Sequence, residues 1–147
     1  MPAVPGSITS ANANFTITIP GIFTVPVALK GYSAEDIFSI DQLEPLEESM
    51  GLDGILSAGW VYQPIKQTIK LQANSPSIAT FDTWFLAQQT LIDVYQAAGL
   101  ITLPSLGKKW TMLNGYLKGY TPIPDAAKTL KPQTFQIVWN QMIPLQI

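Results

Sequence analysis

The 147-residue chain contains no cysteine and no histidine, and all eight of its basic side chains are lysines. Each absence closes off a class of chemistry. Without cysteine there is no disulfide and no thiolate metal site. Without histidine or cysteine, the common acyl-transfer triads, thiol nucleophiles and typical zinc centres cannot be built. Without arginine, bidentate capture of phosphate or guanine is lost. Charge of any kind is scarce: 12% of residues are charged, ten acids against eight lysines, with a net charge of −2. That balance and a pI near 4.9 oppose a nucleic-acid partner, whose affinity comes mostly from basic groups. Long apolar runs are missing too. None approaches the roughly 20 residues needed to span a bilayer. The stretch Met1–Ser10 has neither the basic start nor the apolar core of a signal peptide. No membrane insertion is expected, and the protein is expected to stay in the cytosol until it assembles.

What is present is hydrophobic. At 47% apolar residues the chain is far from disordered composition, and its length fits one domain, residues 1–147, with a sizeable core. So few charges cannot cover the surface of a freely soluble monomer. Part of that surface is therefore expected to be neutral or apolar, as interaction sites are. The composition is that of an assembling subunit.

Alternation and turn residues divide the chain. Asn14–Ile19 alternates apolar and polar residues up to Pro20-Gly21, a half-buried strand closed by a turn. Phe23–Leu29 reads as a second strand, at an edge or a bulge because of Pro26. Ile37–Ile40 starts another, Ile55–Tyr62 and Ile65–Ala73 follow, and Thr134–Met142 is the last, with Phe135, Ile137 and Trp139 on one face. Lys108–Lys118 reads as a long strand or a pair, with Asn114-Gly115 as a hairpin-turn signal. One helix stands out, about residues 76–98. Asn74-Ser75-Pro76 suits its start and Gly99 its end. Trp84, Ala87, Leu91, Val94, Tyr95 and Ala98 form its apolar face, flanked by Phe81, Phe85 and Ile92. The fold class is α+β, mainly β: an antiparallel barrel or sandwich with one long flanking helix. Residues 1–12 are expected to form an extended N-terminal arm.

Residues 41–54 break the pattern. They carry Asp41, Glu44, Glu47, Glu48 and Asp53 without a lysine, together with Leu43, Leu46, Met50 and Leu52. Leu43, Leu46 and Met50 fit a short amphipathic helix. Pro45 and the glycines favour a long, partly extended loop, and loops of this length are usually functional. An interaction loop and an ordinary surface helix or hairpin both remain open.

Tests for chemistry come back empty. No phosphate-binding glycine pattern is present, and the acids at 41–53 do not have EF-hand spacing. A glycosidase-like pair such as Asp41 and Asp82 needs only two carboxylates, but solvated surface acids are the commoner case. No catalytic, cofactor or metal site is assigned. Trp60, Trp84, Trp110 and Trp139 could form a carbohydrate platform, yet their places in strands and on a helix face favour burial. One asymmetry remains. Seven acids lie between Glu35 and Asp53 with no lysine, while Lys108, Lys109, Lys118, Lys128 and Lys131 share the C-terminal region with Asp125 alone. Placed at opposite ends of the subunit, these regions would support head-to-tail contacts, which propagate into rings or filaments.

Met50-Gly51-Leu52-Asp53-Gly54, Asn74-Ser75-Pro76-Ser77, Ile101-Thr102-Leu103-Pro104, Ile123-Pro124-Asp125 and Lys131-Pro132-Gln133-Thr134-Phe135 together resemble tail tube proteins of contractile-tailed bacteriophages, over about residues 12–140. The resemblance implies a β-barrel or sandwich with a helix on its flank, related to the tube protein of type VI secretion. It further implies six-membered rings that stack around a lumen through which DNA passes unbound, with sheath and baseplate proteins as partners. The implied setting is a virion tail, with synthesis in the host cytoplasm. A long early loop would reach the adjacent ring, and here residues 41–54 hold that position. A tube initiator or a terminator of the same fold fits equally. A small β-sandwich ligand-binding module is the reading from another class.

Overall fold

The computed structural model describes residues 13–30, 32 and 38–146. The expected N-terminal arm and the acids Glu35 and Asp36 lie outside them. Nine strands and one helix follow in the order β1 (Asn14–Ile19), β2 (Phe23–Ala28), β3 (Phe38–Ile40), β4 (Leu46–Met50), β5 (Leu56–Trp60), β6 (Ile65–Leu71), α1 (Ile78–Leu91), β7 (Ala97–Leu103), β8 (Lys108–Tyr120) and β9 (Gln133–Gln146). Seven strands make one antiparallel sheet in the order β2-β1-β7-β8-β9-β6-β3, and β4 and β5 pair only with each other.

Alternation decides which face is buried. Along β1, Phe15, Ile17 and Ile19 point into the core; along β6, Ile65, Ile69 and Leu71 do, and along β9, Phe135, Ile137 and Trp139. The sheet rolls around these side chains without closing into a barrel. Phe15 near one end meets Phe38 at the other, ring centroids 6.0 Å apart, and a single bridge, Tyr32 to Leu71, spans the gap among the described residues. Phe81 and Trp84 of α1 complete the core, Phe81 stacking on Phe135 at 4.4 Å.

The helix is shorter than its periodicity predicts. It ends at Leu91 because Ile92 turns left-handed, φ 52°. Val94 and Tyr95 therefore leave the helix, and Leu91 and Val94 are exposed instead of forming an apolar face. The buried face is set by Phe81 and Trp84. Tyr95 is held by its carbonyl, which accepts the Trp84 indole N–H at 3.2 Å, and by its N–H, which donates to Gln88 Oε1 at 3.1 Å. Gly99 is not a helix end but a residue of β7. A Cβ there would lie 2.9 Å from the Trp139 ring.

Asn114-Gly115 is likewise not a turn. Ala97 pairs with Gly115 and Gly99 with Met112, so β8 carries an extra residue and continues through a bulge. Asn114 takes the left-handed conformation there, φ 54°. The property that makes asparagine a turn residue serves a bulge here. Of the tryptophans, Trp84 and Trp139 are fully buried and Trp110 half-buried, but Trp60 is 69% exposed, against the expectation of burial.

Candidate assembly surfaces

Residues 41–54 form neither helix nor irregular loop. They supply the base, first arm and tip of the β4–β5 hairpin, with register Leu46↔Trp60, Glu48↔Ala58 and Met50↔Leu56. The hairpin is fastened from base to tip. At the base, the Asp41 N–H donates to the Lys66 carbonyl at 3.1 Å, Glu44 N–H to Gln63 Oε1 at 3.2 Å, and Val61 N–H to the Pro45 carbonyl at 2.7 Å. At the tip, the Gly51 N–H reaches the Ile55 carbonyl at 2.9 Å and the Gly54 N–H the Gly51 carbonyl at 3.0 Å. Asp53 Oδ1 accepts the Ile55 N–H at 3.1 Å, and Gly54 sits at φ 82°. An Asx turn and a left-handed glycine are what a tight reversal needs.

Nothing covers it. From Asp41 to Pro64 every residue is exposed except the half-buried Pro45. Pairing sorts the side chains onto two faces. Leu46, Trp60, Ala58, Met50 and Leu56 share one face with Glu48; the other carries Glu47, Ser49, Ser57 and Gly59. One face is thus apolar with a carboxylate at its centre, and the other is small and polar. Where the apolar face meets the sheet, Leu43, Trp60 and Tyr62 line a groove against Gln141 and Met142. The Trp60 and Tyr62 rings stand nearly perpendicular, 83° apart.

All nine acids and apolar residues expected to make contacts (Asp41, Leu43, Glu44, Leu46, Glu47, Glu48, Met50, Leu52 and Asp53) are brought together on this one projection. Missed from sequence were Ile55, Leu56, Trp60 and Tyr62 of the returning arm, whose exposure matches theirs. The expected basic surface, by contrast, is split. Lys108 and Lys109 start β8, while Lys118 lies near its other end. Nine residues of strand separate Lys109 from Lys118, about 30 Å. Gly115 is level with Trp139, and Trp139 with Ile65, where the hairpin rejoins the sheet. Lys108 and Lys109 lie on the hairpin's side of that level; Lys118, Lys128 and Lys131 lie on the other.

No group of three or more acids among the described residues is placed to hold a metal ion. The polar side-chain pair linking α1 to the sheet is Tyr120 and Asp82, whose hydroxyl and carboxylate share a hydrogen bond. Tyr120 also stacks on Phe85 at 4.4 Å. Burial of its hydroxyl, with Asp82 beside it, pushes the Tyr120 pKa up to about 12. This contact is structural in character. The projection, not a pocket, is the feature on which function can be built.

Residues 6–143 match the family model described as Tail fiber protein gp32. The chain belongs to this family. No curated protein matches the family member's sequence. Solved structures carry the fold further. A chain of the PVC sheath-tube complex of an extracellular contractile injection system, in its extended state, is 18% identical, with 90% of this chain and 88% of that one covered and a TM-score of 0.58. A chain of the anti-feeding prophage baseplate is 14% identical, covering 97% and 98%, TM-score 0.60. A chain of the PVC sheath/tube terminator, also extended, is 17% identical over 97% and 99%, TM-score 0.60. The tail-family member therefore has the fold found in tube, baseplate and terminator assemblies of contractile systems. Among its described residues no helix is long and apolar enough to cross a membrane.

Proposed function

We propose that this chain is a non-enzymatic tail tube subunit of a bacteriophage virion, forming six-membered rings that stack around a lumen. The observation that carries the reading is the β4–β5 hairpin. It is an ordered projection of some twenty exposed residues, with an apolar face that the subunit itself leaves bare. A side chain such as Met50, Leu52, Leu56 or Trp60 gains about 1.5–3 kcal/mol on full burial. Six hairpins per ring would then hold adjacent rings firmly, and ring formation would cap the outer sheet strands β2 and β3, which are costly when left open. A lumen poor in positive charge lets DNA pass without sticking, because each lysine near a phosphate adds counterion-release affinity. Sheath and baseplate proteins are the partners outside the tube, and synthesis takes place in the host cytoplasm.

A tube initiator or terminator of the same fold differs in stacking on one side only. A glycan-binding module is less well supported, because the near-perpendicular Trp60 and Tyr62 rings do not offer one flat platform. The test is sedimentation velocity over a wide concentration range, on the wild type and on a variant with Leu46–Trp60 replaced by a short glycine-serine linker. A tube subunit gives ring-sized and larger species that the linker variant reduces to single rings or monomers. Wild-type species that stop at a single or double ring point to the initiator or terminator.

A further inference from the structure

The loop between β8 and β9, residues 121–132, lies at the end of the sheet opposite the hairpin. Like the hairpin, it is held by hydrogen bonds of its own. The Lys131 N–H donates to the Asp125 carbonyl at 2.9 Å, the Ala127 N–H to the Thr129 carbonyl at 3.1 Å, and Ala126 bridges to Leu130. Its root is tied to β9: the Thr121 hydroxyl donates to the Thr134 carbonyl at 2.8 Å, and Gln133 Nε2 to the Thr121 carbonyl at 2.8 Å. Yet it keeps two large apolar side chains in solvent, Ile123 at 73% and Leu130 at 57% exposure. Leu130, Thr129 and Pro132 also wall an open groove whose other side is Gln72, Ala73 and Asn74.

Charge completes the match. From Lys118 to Pro132 there are three lysines, Lys118, Lys128 and Lys131, and one acid, Asp125; from Asp41 to Asp53 there are five acids and no lysine. All of these charged side chains are exposed. Each surface is mixed apolar and charged, the net signs are opposite, and the two lie at opposite ends of one subunit. A single contact between them leaves a free hairpin at one end of the pair and a free loop at the other. It joins unlike surfaces and repeats along an axis.

We infer that the β4–β5 hairpin of one copy seats on the 121–132 loop of a copy in the next ring. Glu48, on the apolar face, then faces Lys128 and Lys131, and the Met50–Leu56 tip covers Ile123 and Leu130. This rests on the tube reading and names the receiving surface that it leaves open. It also removes Lys108 and Lys109 from the contact, since they lie on the hairpin's own side.

A charge swap tests it. Glu48→Lys and Lys128→Glu/Lys131→Glu are made separately, their folding checked by circular dichroism, and assembly followed by sedimentation and electron microscopy. Each variant alone is expected to need at least roughly tenfold more protein to stack, because like charges meet across the contact. Mixed one to one, they are expected to stack again, each offering one intact complementary pair. Lys108→Glu/Lys109→Glu is expected to stack as the wild type does. If the hairpin swap stops stacking but the Lys128/Lys131 swap does not, the receiving surface is elsewhere and the inference falls while the tube reading stands. If the wild type never associates at any concentration, the tube reading falls and the inference with it.

Discussion

Trp139 is the side chain around which the sheet is built, and Gly115→Ala measures how tightly. The indole is fully buried, and its Nε1–H donates to Gln67 Oε1 at 2.8 Å. Its ring lies against two strands that have no side chain at the point of contact. A Cβ on Gly115 would sit 2.4 Å from the ring, and one on Gly99 2.9 Å. A carbon at 2.4 Å cannot be accommodated without moving the ring. Overpacking of this kind costs about 1–3 kcal/mol. Moving the indole also strains or breaks its bond to Gln67, leaving a buried donor unmet for about 1–3 kcal/mol more. The sum is about 2–6 kcal/mol. At about 2–4 °C per kcal/mol for a domain of this size, Gly115→Ala is expected to lower Tm by about 4–24 °C in differential scanning calorimetry. Gly59→Ala is the control, since a Cβ there meets nothing within 4 Å, and its shift is expected to stay within about 2 °C. Trp139→Phe made in the Gly115→Ala background should cost less than the two changes summed, because the smaller ring relieves the clash. A Gly115→Ala protein that melts within about 2 °C of wild type would refute the reasoning.

Three further outcomes are expected. Ile92→Gly should raise Tm by a few degrees, because a β-branched residue at φ 52° costs roughly 1–2 kcal/mol and the 92% exposed side chain gives little back; a fall in Tm would show that Ile92 makes a contact of its own. Tyr120 has a folded pKa raised from 10.0 to about 12, so its contribution to stability is complete below pH 10 and is lost as pH rises toward 12. Denaturant titrations from pH 9 to 12 should show that loss shrink in Tyr120→Phe, and an unchanged alkaline limb would count against the Asp82 contact. Trp60 is exposed in the subunit, so iodide should quench part of the tryptophan fluorescence in dilute protein, quench less after assembly, and lose its accessible fraction in Trp60→Phe.

How far the fold could be read from the sequence depended on whether an element buries one face. β1, β6 and β9 alternate because their inner residues pack in the core, and a period of two is then imposed on the sequence. The hairpin buries neither face against the subunit. No period of two is imposed on its residues by the core, so 41–54 read as loop, helix or hairpin alike. That 41–54 departs from an ordinary connection was legible all the same, in the crowding of acids and leucines where a connection should be short and polar. The helix was read too long because Leu91, Val94, Tyr95 and Ala98 continue its period; the left-handed turn at Ile92 and the demand of Trp139 for a bare backbone at Gly99 are tertiary facts. The lysines were grouped because they are close in sequence. That β8 carries Lys108 and Lys118 to opposite ends follows from its unbroken length through the Asn114 bulge, which local turn chemistry hides.

The central claim is that the hairpin joins copies of this chain into stacked rings. Cryo-electron microscopy of the assembled wild-type protein tests it most directly. The account predicts hollow tubes of stacked rings, with density for β4–β5 crossing from each ring into the next. Tubes in which the hairpin stays within its own ring or points into solvent, or a chain that remains monomeric at every concentration, would contradict it.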